Sequence, residues 1–537
     1  MTMFSHRLTM ILGCLAFALS TLPASADPIA EAEASADIAG ASLSKVHRWL
    51  HEVALKKIDP DTGLYKADDK WNYRDTAADC YPFLIWAAHA TDPDVLENEA
   101  RAILQVERTK CAYLDRIPAP WDFEKGTVVE DFPHDELIFQ ASEYVKDGLI
   151  AITEVTGQGP WFDRMREIQD DIWKHARIDT DYGKIPSENV EVNGEQIQAL
   201  VRLYTATAED KYLEWAMRLA DYYLSDPDFV PTRLRDHGCE IIGGLGLLMA
   251  VADARDLEKA EYLQQRMRTL FDQVLARGCN PDGFMLNRLA AKPGTRVAGK
   301  KDRGDDALSD GWGYNYVSYL CYDMVTGNQH YTPHIRQTLR NLRYPLYEGN
   351  EWGERGNIDG YADSIEGAIY LLNRVPEEEG FAWADREARR HVVRLEEDGG
   401  EGELWGTMKL EANGVRTTVM HALMHTRGLR AFPWRDDLKL GAAEDGDELV
   451  VVLKSDTPWE GELVFDFPRH KVFWNFQHDW PRMNTLPEWF TVQTDQNYKV
   501  TQDDTSSPQT GDALIKGLTV TTGPDSRLTL RVTPEDK

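Results

Sequence analysis

Seven polar clusters punctuate this 537-residue chain, and carboxylates and aromatics recur at nearly every one. In order they are Trp71-Asn-Tyr-Arg-Asp-Thr-Ala-Ala-Asp79, Phe132-Pro-His-Asp-Glu136, Glu188-Asn-Val-Glu-Val-Asn-Gly-Glu195 and Arg235-Asp-His-Gly-Cys-Glu240, then Asp310-Gly-Trp-Gly-Tyr-Asn-Tyr316, Asp359-Gly-Tyr-Ala-Asp-Ser-Ile-Glu366 and Arg416-Thr-Thr-Val-Met-His421. Hydrolysis of a glycosidic bond needs such a mixture. One carboxylic acid protonates the leaving oxygen while a carboxylate activates water or attacks carbon, at a separation of about 5 Å or about 6.5–9.5 Å. Glu240 and Asp310 are the favoured pair, with Asp236, Asp363 and Glu366 as substitutes. Asp310 precedes a Gly-Trp-Gly turn that would leave its carboxylate unobstructed, and Glu240 lies one helical turn beyond Asp236 on the same face. Trp71, Tyr73, Trp312, Tyr314, Tyr316 and Trp352 are candidate platforms for sugar rings. Arg74, Asp75, Asn193 and Arg416 are candidates for binding hydroxyls or a uronate carboxylate.

A second chemistry fits the same residues. β-Elimination from a uronic acid needs the substrate carboxylate neutralised, a base for the C5 proton and an acid for the leaving oxygen. Asn193, His237, Tyr314 or Tyr316, with Arg74, Arg235 or Arg416, would supply these groups, and a neutral His237 could accept a proton near pH 7. A third reading is a glycan-binding protein without turnover. Other motifs are weak. His421 and His425 are four residues apart and could share a metal, but Ala422-Leu423-Met424 between them lacks the glutamate of a zinc protease, so no metal is expected. Gly243-Gly-Leu-Gly246 has no strand before it and reads as close helix packing rather than a nucleotide loop. No cofactor motif is present.

The elements that must hold these clusters are helices. From about residue 30 to 435, apolar residues recur at three- and four-residue spacing, as in Leu43–Leu55, Glu143–Val155, Ile197–Tyr204, Ile241–Ala252, Tyr314–Met324 and Ile365–Leu372. After Pro433 the texture changes to short runs bounded by turn residues: Glu448–Leu453, Gly461–Phe467, Lys471–Trp474, Trp489–Val492, Leu514–Thr522 and Leu528–Val532, all read as strands. The expectation is a catalytic helical domain over 27–435 and a small antiparallel β-sandwich over 436–537. Trp459, Trp474, Trp480 and Trp489 of the sandwich are expected against the helical domain rather than on a sugar-binding face.

Residues 1–26 read as a secretory signal, with an apolar run from Leu8 to Leu22 and Ala24-Ser25-Ala26 as the cleavage site, so a secreted or periplasmic protein is expected. Lys and Arg number 59 against 90 Asp and Glu, a net charge of −31 that repels nucleic acid and anionic membrane surfaces. The five cysteines after the signal form no Cys-x-x-Cys pair and are expected mostly as buried thiols.

Two stretches carry a resemblance. Asn193-Gly-Glu-Gln-Ile-Gln-Ala-Leu-Val-Arg-Leu-Tyr204 followed by Asp210-Lys-Tyr-Leu-Glu-Trp-Ala216, and Asp310 to Tyr316 followed by Thr326-Gly-Asn-Gln-His-Tyr331, resemble the helical hairpins of the six-hairpin glycosidase superfamily. The likeness covers about residues 40 to 430. It implies a mainly α fold, an (α/α)6–7 toroid of helical hairpins followed by the β-sandwich. It also implies a glycoside hydrolase or polysaccharide lyase acting on a polysaccharide or oligosaccharide, with the cleft where the inner helices begin.

Overall fold

The computed structural model describes residues 27–235, 237–292, 307–349, 352, 358–397, 408–502 and 505–535. The signal sequence, Asp236, the side chain of His237 and the basic-acidic stretch 300–306 lie outside the described residues.

Helices dominate as far as Thr426, and they alternate in character. The odd-numbered ones are α1 (Pro28–Arg48), α3 (Arg101–Lys110), α5 (Pro160–Lys174), α7 (Asp210–Leu224), α9 (Ala260–Gly278), α11 (Thr332–Asn341) and α13 (Glu378–Glu397). Between them run α2 (Tyr81–Thr91), α4 (His134–Glu143, continuing through Tyr144–Ile150 and Ala151–Thr156), α6 (Val190–Thr207), α8 (His237–Ala254), α10 (Trp312–Thr326), α12 (Ile358–Leu372) and α14 (Met408–Thr426). α5 buries Trp161, Phe162, Met165, Ile168 and Ile172 on one stripe, as a helix exposed on its other side must. α8 is buried all round from Ile241 to Ala252. Each fully buried Ile or Leu side chain there contributes about 1.5–3 kcal/mol.

The even-numbered helices contact one another in succession from α2 through α14, and α14 returns to α2. Each odd-numbered helix but α3 lies against an even-numbered one, and α3 lies against α5. Glycines permit the closest approaches. A Cβ at Gly194 of α6 would stand 2.3 Å from the Ile241 nitrogen of α8, and one at Gly313 of α10 would stand 2.4 Å from the Gly367 carbonyl carbon of α12. Gly244, within the glycine-rich run, faces the Gly194 carbonyl oxygen at 2.6 Å from its own would-be Cβ, in keeping with the helix-packing reading of that run.

Beyond α14 the chain forms β1 (Arg430–Phe432), β2 (Lys439–Asp445), β3 (Glu448–Ser455), β4 (Trp459–Val464), β5 (Asn497–Gln502), β6 (Thr505–Thr510), β7 (Leu518–Thr522) and β8 (Ser526–Pro534). They pair antiparallel in two sheets, ordered β6-β5-β8-β3-β2 and β7-β4-β1. β3 is buried on both faces: Leu449, Val451 and Leu453 join the main core, while Val450 and Val452 pack with Ala32 and Ala36 of α1. Three expected strands change. Arg469–Trp474 is a short helix closed by Asn475 at φ 54°, Gly511–Lys516 is a helix preceding β7, and no strand forms over Trp489–Val492 apart from a bridge of Thr491 to Asp466. The β-branched and aromatic residues there serve burial against the helices rather than sheet pairing.

The segment 474–489 leaves the sheets and inserts among the C-terminal halves of the even-numbered helices. Arg202 of α6 donates to the Met483 carbonyl at 2.9 Å, Cys321 of α10 to the Pro481 carbonyl, and Asn373 after α12 to the Glu488 carbonyl. Its anchor is Glu154 of α4. The carboxylate takes both Nε and Nη2 of Arg482 at 3.0 and 3.1 Å, the Thr485 hydroxyl at 2.9 Å and the Trp474 indole N–H at 2.9 Å. Trp459, Trp474 and Trp480 are buried, as expected of aromatics at a domain contact. Cys111 and Cys321 are buried free thiols. No helix of the described residues is long and apolar enough to cross a membrane.

Candidate functional site

At the opposite, N-terminal ends of the even-numbered helices lies a cavity of about 390 Å³. Its walls carry nine carboxylates and five cations. The carboxylates are Asp79, Glu143, Asp147, Glu191, Glu195, Glu240, Asp310, Asp359 and Asp363; the cations are Arg74, Lys146, Arg233, Arg235 and Arg416. Helix N-termini carry positive partial charge, so the starts of α6, α8, α10 and α12 at this space favour anionic groups there. Asn484, at the tip of the inserted segment and at φ 55°, reaches the cavity from below, donating to the Lys146 carbonyl at 2.7 Å and to Asp147 at 2.8 Å.

Lys146 and Asp147 sit in the Tyr144–Ile150 stretch of α4, where the helix widens to π geometry, a local distortion common at functional sites. The Lys146 ammonium contacts Asp147 at 2.6 Å and Glu240 at 2.8 Å. Burial opposes its charge, but those two carboxylates hold it well above the ordinary lysine range. Asp147 responds in kind: burial pushes its carboxyl up, but Lys146 and hydrogen bonds from Glu143, Lys146 and Asn484 bring it below the usual value. Glu143 and Glu195 move the other way. Burial raises both well above the carboxylate range, reinforced for Glu143 by the charges of Glu195 and Asp147 and for Glu195 by those of Glu240 and Asp147. Oxygens of Glu143, Asp147 and Glu195 lie within 4.8 Å of one another, and Oε2 of Glu195 is buried without a hydrogen-bond partner. The trio therefore sets one carboxyl lowered by a lysine beside two raised by burial.

Glu240 and Asp310, the pair favoured from sequence, both line the cavity, and both are anchored. Glu240 accepts from Lys146 on one oxygen and from Gln198 on the other at 2.7 Å, and burial raises its carboxyl. Asp310 accepts from Arg235 at 3.0 Å and from the Gly311 N–H at 2.9 Å. Asp363 and Arg416 face each other across α12 and α14 and are ion-paired. Glu366 lies behind them and outside the lining, taking Tyr314 at 2.6 Å and Arg416 at 2.8 Å. Tyr314 lines the cavity with its hydroxyl shared between Asp363 and Glu366, and burial with those two carboxylates pushes it well above the ordinary phenol range.

Several expected contacts are not made. Trp71, Tyr73, Trp312, Tyr316 and Trp352 are all fully buried, so none is a platform for sugar. Tyr73 donates to Glu107 at 2.9 Å, Trp312 stacks on Trp352, and Tyr316 donates to the Gly283 carbonyl at 2.5 Å. Asn193 points away from the cavity, its amide donating to the Ser187 carbonyl and the Tyr223 hydroxyl. Asp75 precedes the Thr76–Asp79 turn and does not line the cavity, whereas Arg74 does. For the five aromatics the physical reason is shared: they close the wall between hairpins, while charged neighbours such as Arg74, Asp79 and Asp310 line the cavity. Sequence reasoning missed Glu143, Lys146, Asp147 and Asn484. Three charged residues at spacing i, i+3, i+4 inside an otherwise apolar helix were the signal for the first three. Nothing local marks Asn484.

Neither a family model nor the sequence of a curated protein matches the chain. Among solved structures it is similar to a sugar epimerase from a ruminal bacterium at 13% identity and TM-score 0.40, over 58% of this chain and 89% of that one. It is similar to a GH127 β-L-arabinofuranosidase from Geobacillus stearothermophilus T6 at 10% identity and TM-score 0.37, over 92% and 80% of the two chains. A GH76A α-1,6-mannanase from Salegentibacter sp. HEL1_6 is similar at 10% identity and TM-score 0.38, over 72% and 99%. All three are sugar-acting enzymes by name. At these scores the likenesses assign no activity to it.

Proposed function

We propose that the chain is an exported glycoside hydrolase acting on a polysaccharide or a derived oligosaccharide. In this reading residues 27–435 form a closed (α/α) toroid, with the cleft at its inner-helix starts, and residues 436–537 a sandwich that plugs the far end. The observation that carries it is the Glu143–Asp147–Glu195 trio, which brings a carboxyl lowered by Lys146 within 4.8 Å of two raised by burial on a cavity wall. Glu195, with one oxygen uncommitted, is the acid that gives its proton to the leaving oxygen. Asp147, stabilised as a carboxylate by Lys146, attacks the sugar carbon as that oxygen departs, and water then hydrolyses the glycosyl ester. Close carboxyl spacing belongs to the retaining class, in which the carboxyl groups lie about 5–5.5 Å apart. Glu240 and Asp310 take the sugar's hydroxyls, each already oriented by a basic partner. Uronate elimination is less well served, because Asn193 is turned away and the Tyr314 hydroxyl, flanked by two carboxylates, is a poor base.

The test is to incubate the mature protein with a panel of neutral and uronate-containing glycans, following new reducing ends and the ultraviolet absorbance of unsaturated uronates. Reducing ends without absorbance are expected, and they are lost in Glu195→Gln. Absorbance rising with the reducing ends would make the protein a lyase. Glycan binding without either product would make it a binding protein.

A further inference from the structure

We propose that Asp385, His421 and His425 form a binding site for a divalent transition-metal ion of the zinc type, fastening α13 to α14. The two histidines lie one turn apart on α14, and both direct Nε2 at the same oxygen of Asp385, each at 2.8 Å. The donor atoms of all three residues lie within 4.8 Å of one another. Two imidazoles and one carboxylate are a zinc ligand set, with ligands about 2.0–2.2 Å from the ion, and donors at the tetrahedral angle around such an ion stand about 3.4 Å apart. Withdrawal of the Asp385 carboxylate by roughly half an ångström from the two rings would admit the ion. The third ligand comes from a helix 36 residues upstream of His421, which is why the His-x-x-x-His spacing alone did not reveal it.

Charge balance favours a cation here. His421 is buried, Asp385 is partly open to solvent, and among the described residues Asp385 pairs with no Lys or Arg. His425 Nδ1 lies 3.3 Å from the Ser35 hydroxyl of α1, an outer contact of the kind that fixes the orientation of a metal-bound imidazole. Other clusters lack this combination. Asp479, beside His470 and Glu488, is paired with Arg374 and Arg482, and the Glu143 cluster belongs to the cavity. His47 and His51, also four residues apart, turn different nitrogens to different carboxylates.

The test uses the mature full chain, stripped with chelator and titrated with Zn2+, Co2+ and Cu2+. One equivalent is expected to bind, with Zn2+ raising Tm and the Co2+ complex showing visible ligand-field bands. Asp385→Asn and His425→Gln should each abolish the binding and the Tm rise while hydrolysis persists, and His51→Gln should leave both intact. Should either variant fail to fold, spin-echo modulation of Cu2+ bound to the unaltered protein counts its imidazoles, and two are expected. No Tm rise and no Co2+ bands, one imidazole or none, or binding that survives both folded variants would overturn the site.

Discussion

Glu195 is distinguished from Glu240, Asp310 and Asp363 on the same cavity wall by what does not touch it. Glu240 and Asp310 are each held by a basic side chain, and Asp363 is paired with Arg416, whereas Glu195 keeps a buried oxygen without a partner. A general acid must carry its proton at working pH and release it into the substrate, and burial beside two carboxylates supplies the first condition. Glu195→Gln should lower kcat by about 10²–10⁴-fold on natural glycans. The same variant should lose the fall in kcat/KM on the alkaline side that accompanies ionisation of Glu195 in the parent. A profile unchanged by the substitution would move the acid elsewhere. Asp310→Asn, by contrast, should raise KM with less effect on kcat, because the amide keeps the Gly311 contact but loses the ion pair to Arg235.

At the scale of elements, two features decide whether the site forms. One is the glycine contacts that bring α6 to α8 and α10 to α12. Gly194→Ala would force its new methyl to within 2.3 Å of backbone, which no rotamer can relieve, so the helices must separate. A loss of about 1–3 kcal/mol in stability is expected from chemical denaturation, together with reduced activity, because Glu195 is the next residue. The other is the inserted segment 474–489, tied to α4 by Glu154. Replacing Glu154 with Ala leaves the buried Arg482 with Asp479 alone as its carboxylate partner and removes the acceptor of Trp474 and Thr485, and should cost about 1–3 kcal/mol. Because Asn484 reaches Asp147 from that segment, activity should fall well before the protein unfolds. Equal Tm for parent and Glu154→Ala would show that the segment is not anchored there.

For the whole molecule, the buried carboxylates make stability depend on pH in two directions. Glu154 has a lowered pKa: burial raises it, but Arg482 and its neighbours prevail. Its stabilisation is present above the ordinary value of 4.5 and is lost as pH falls through the lower, folded value. Glu143 and Glu195 are raised, so the folded protein retains protons that the unfolded chain gives up above 4.5, and their contribution declines as pH rises from there to their folded values. Tm measured against pH should therefore pass through a maximum on the mildly acidic side of neutrality, and Glu195→Gln should flatten the alkaline descent. A net charge of −31 acts in the same sense, because self-repulsion grows as carboxylates ionise.

Much of the fold was legible without coordinates, since helical periodicity and the change of texture at Pro433 depend on local burial patterns. The seven polar clusters mark helix starts because a chain entering a packed helix must leave its charged residues at the open end: six of the seven expected starts fall within a few residues of α2, α4, α6, α8, α10 and α12. The cavity's acidic character was legible for the same reason. Only the tertiary structure decided which residues at each start face inward. Trp71 and Asp79, or Trp312 and Tyr314, are close in sequence, yet neighbouring hairpins bury one and leave the other on the cavity wall. The π-widened turn that brings Lys146 and Asp147 to the trio, Asn484 arriving 337 residues after Asp147, and Asp385 meeting two histidines of another helix depend on long-range contacts. Periodicity records how buried a residue is. It does not record which neighbour buries it, and at this site the neighbour sets the chemistry.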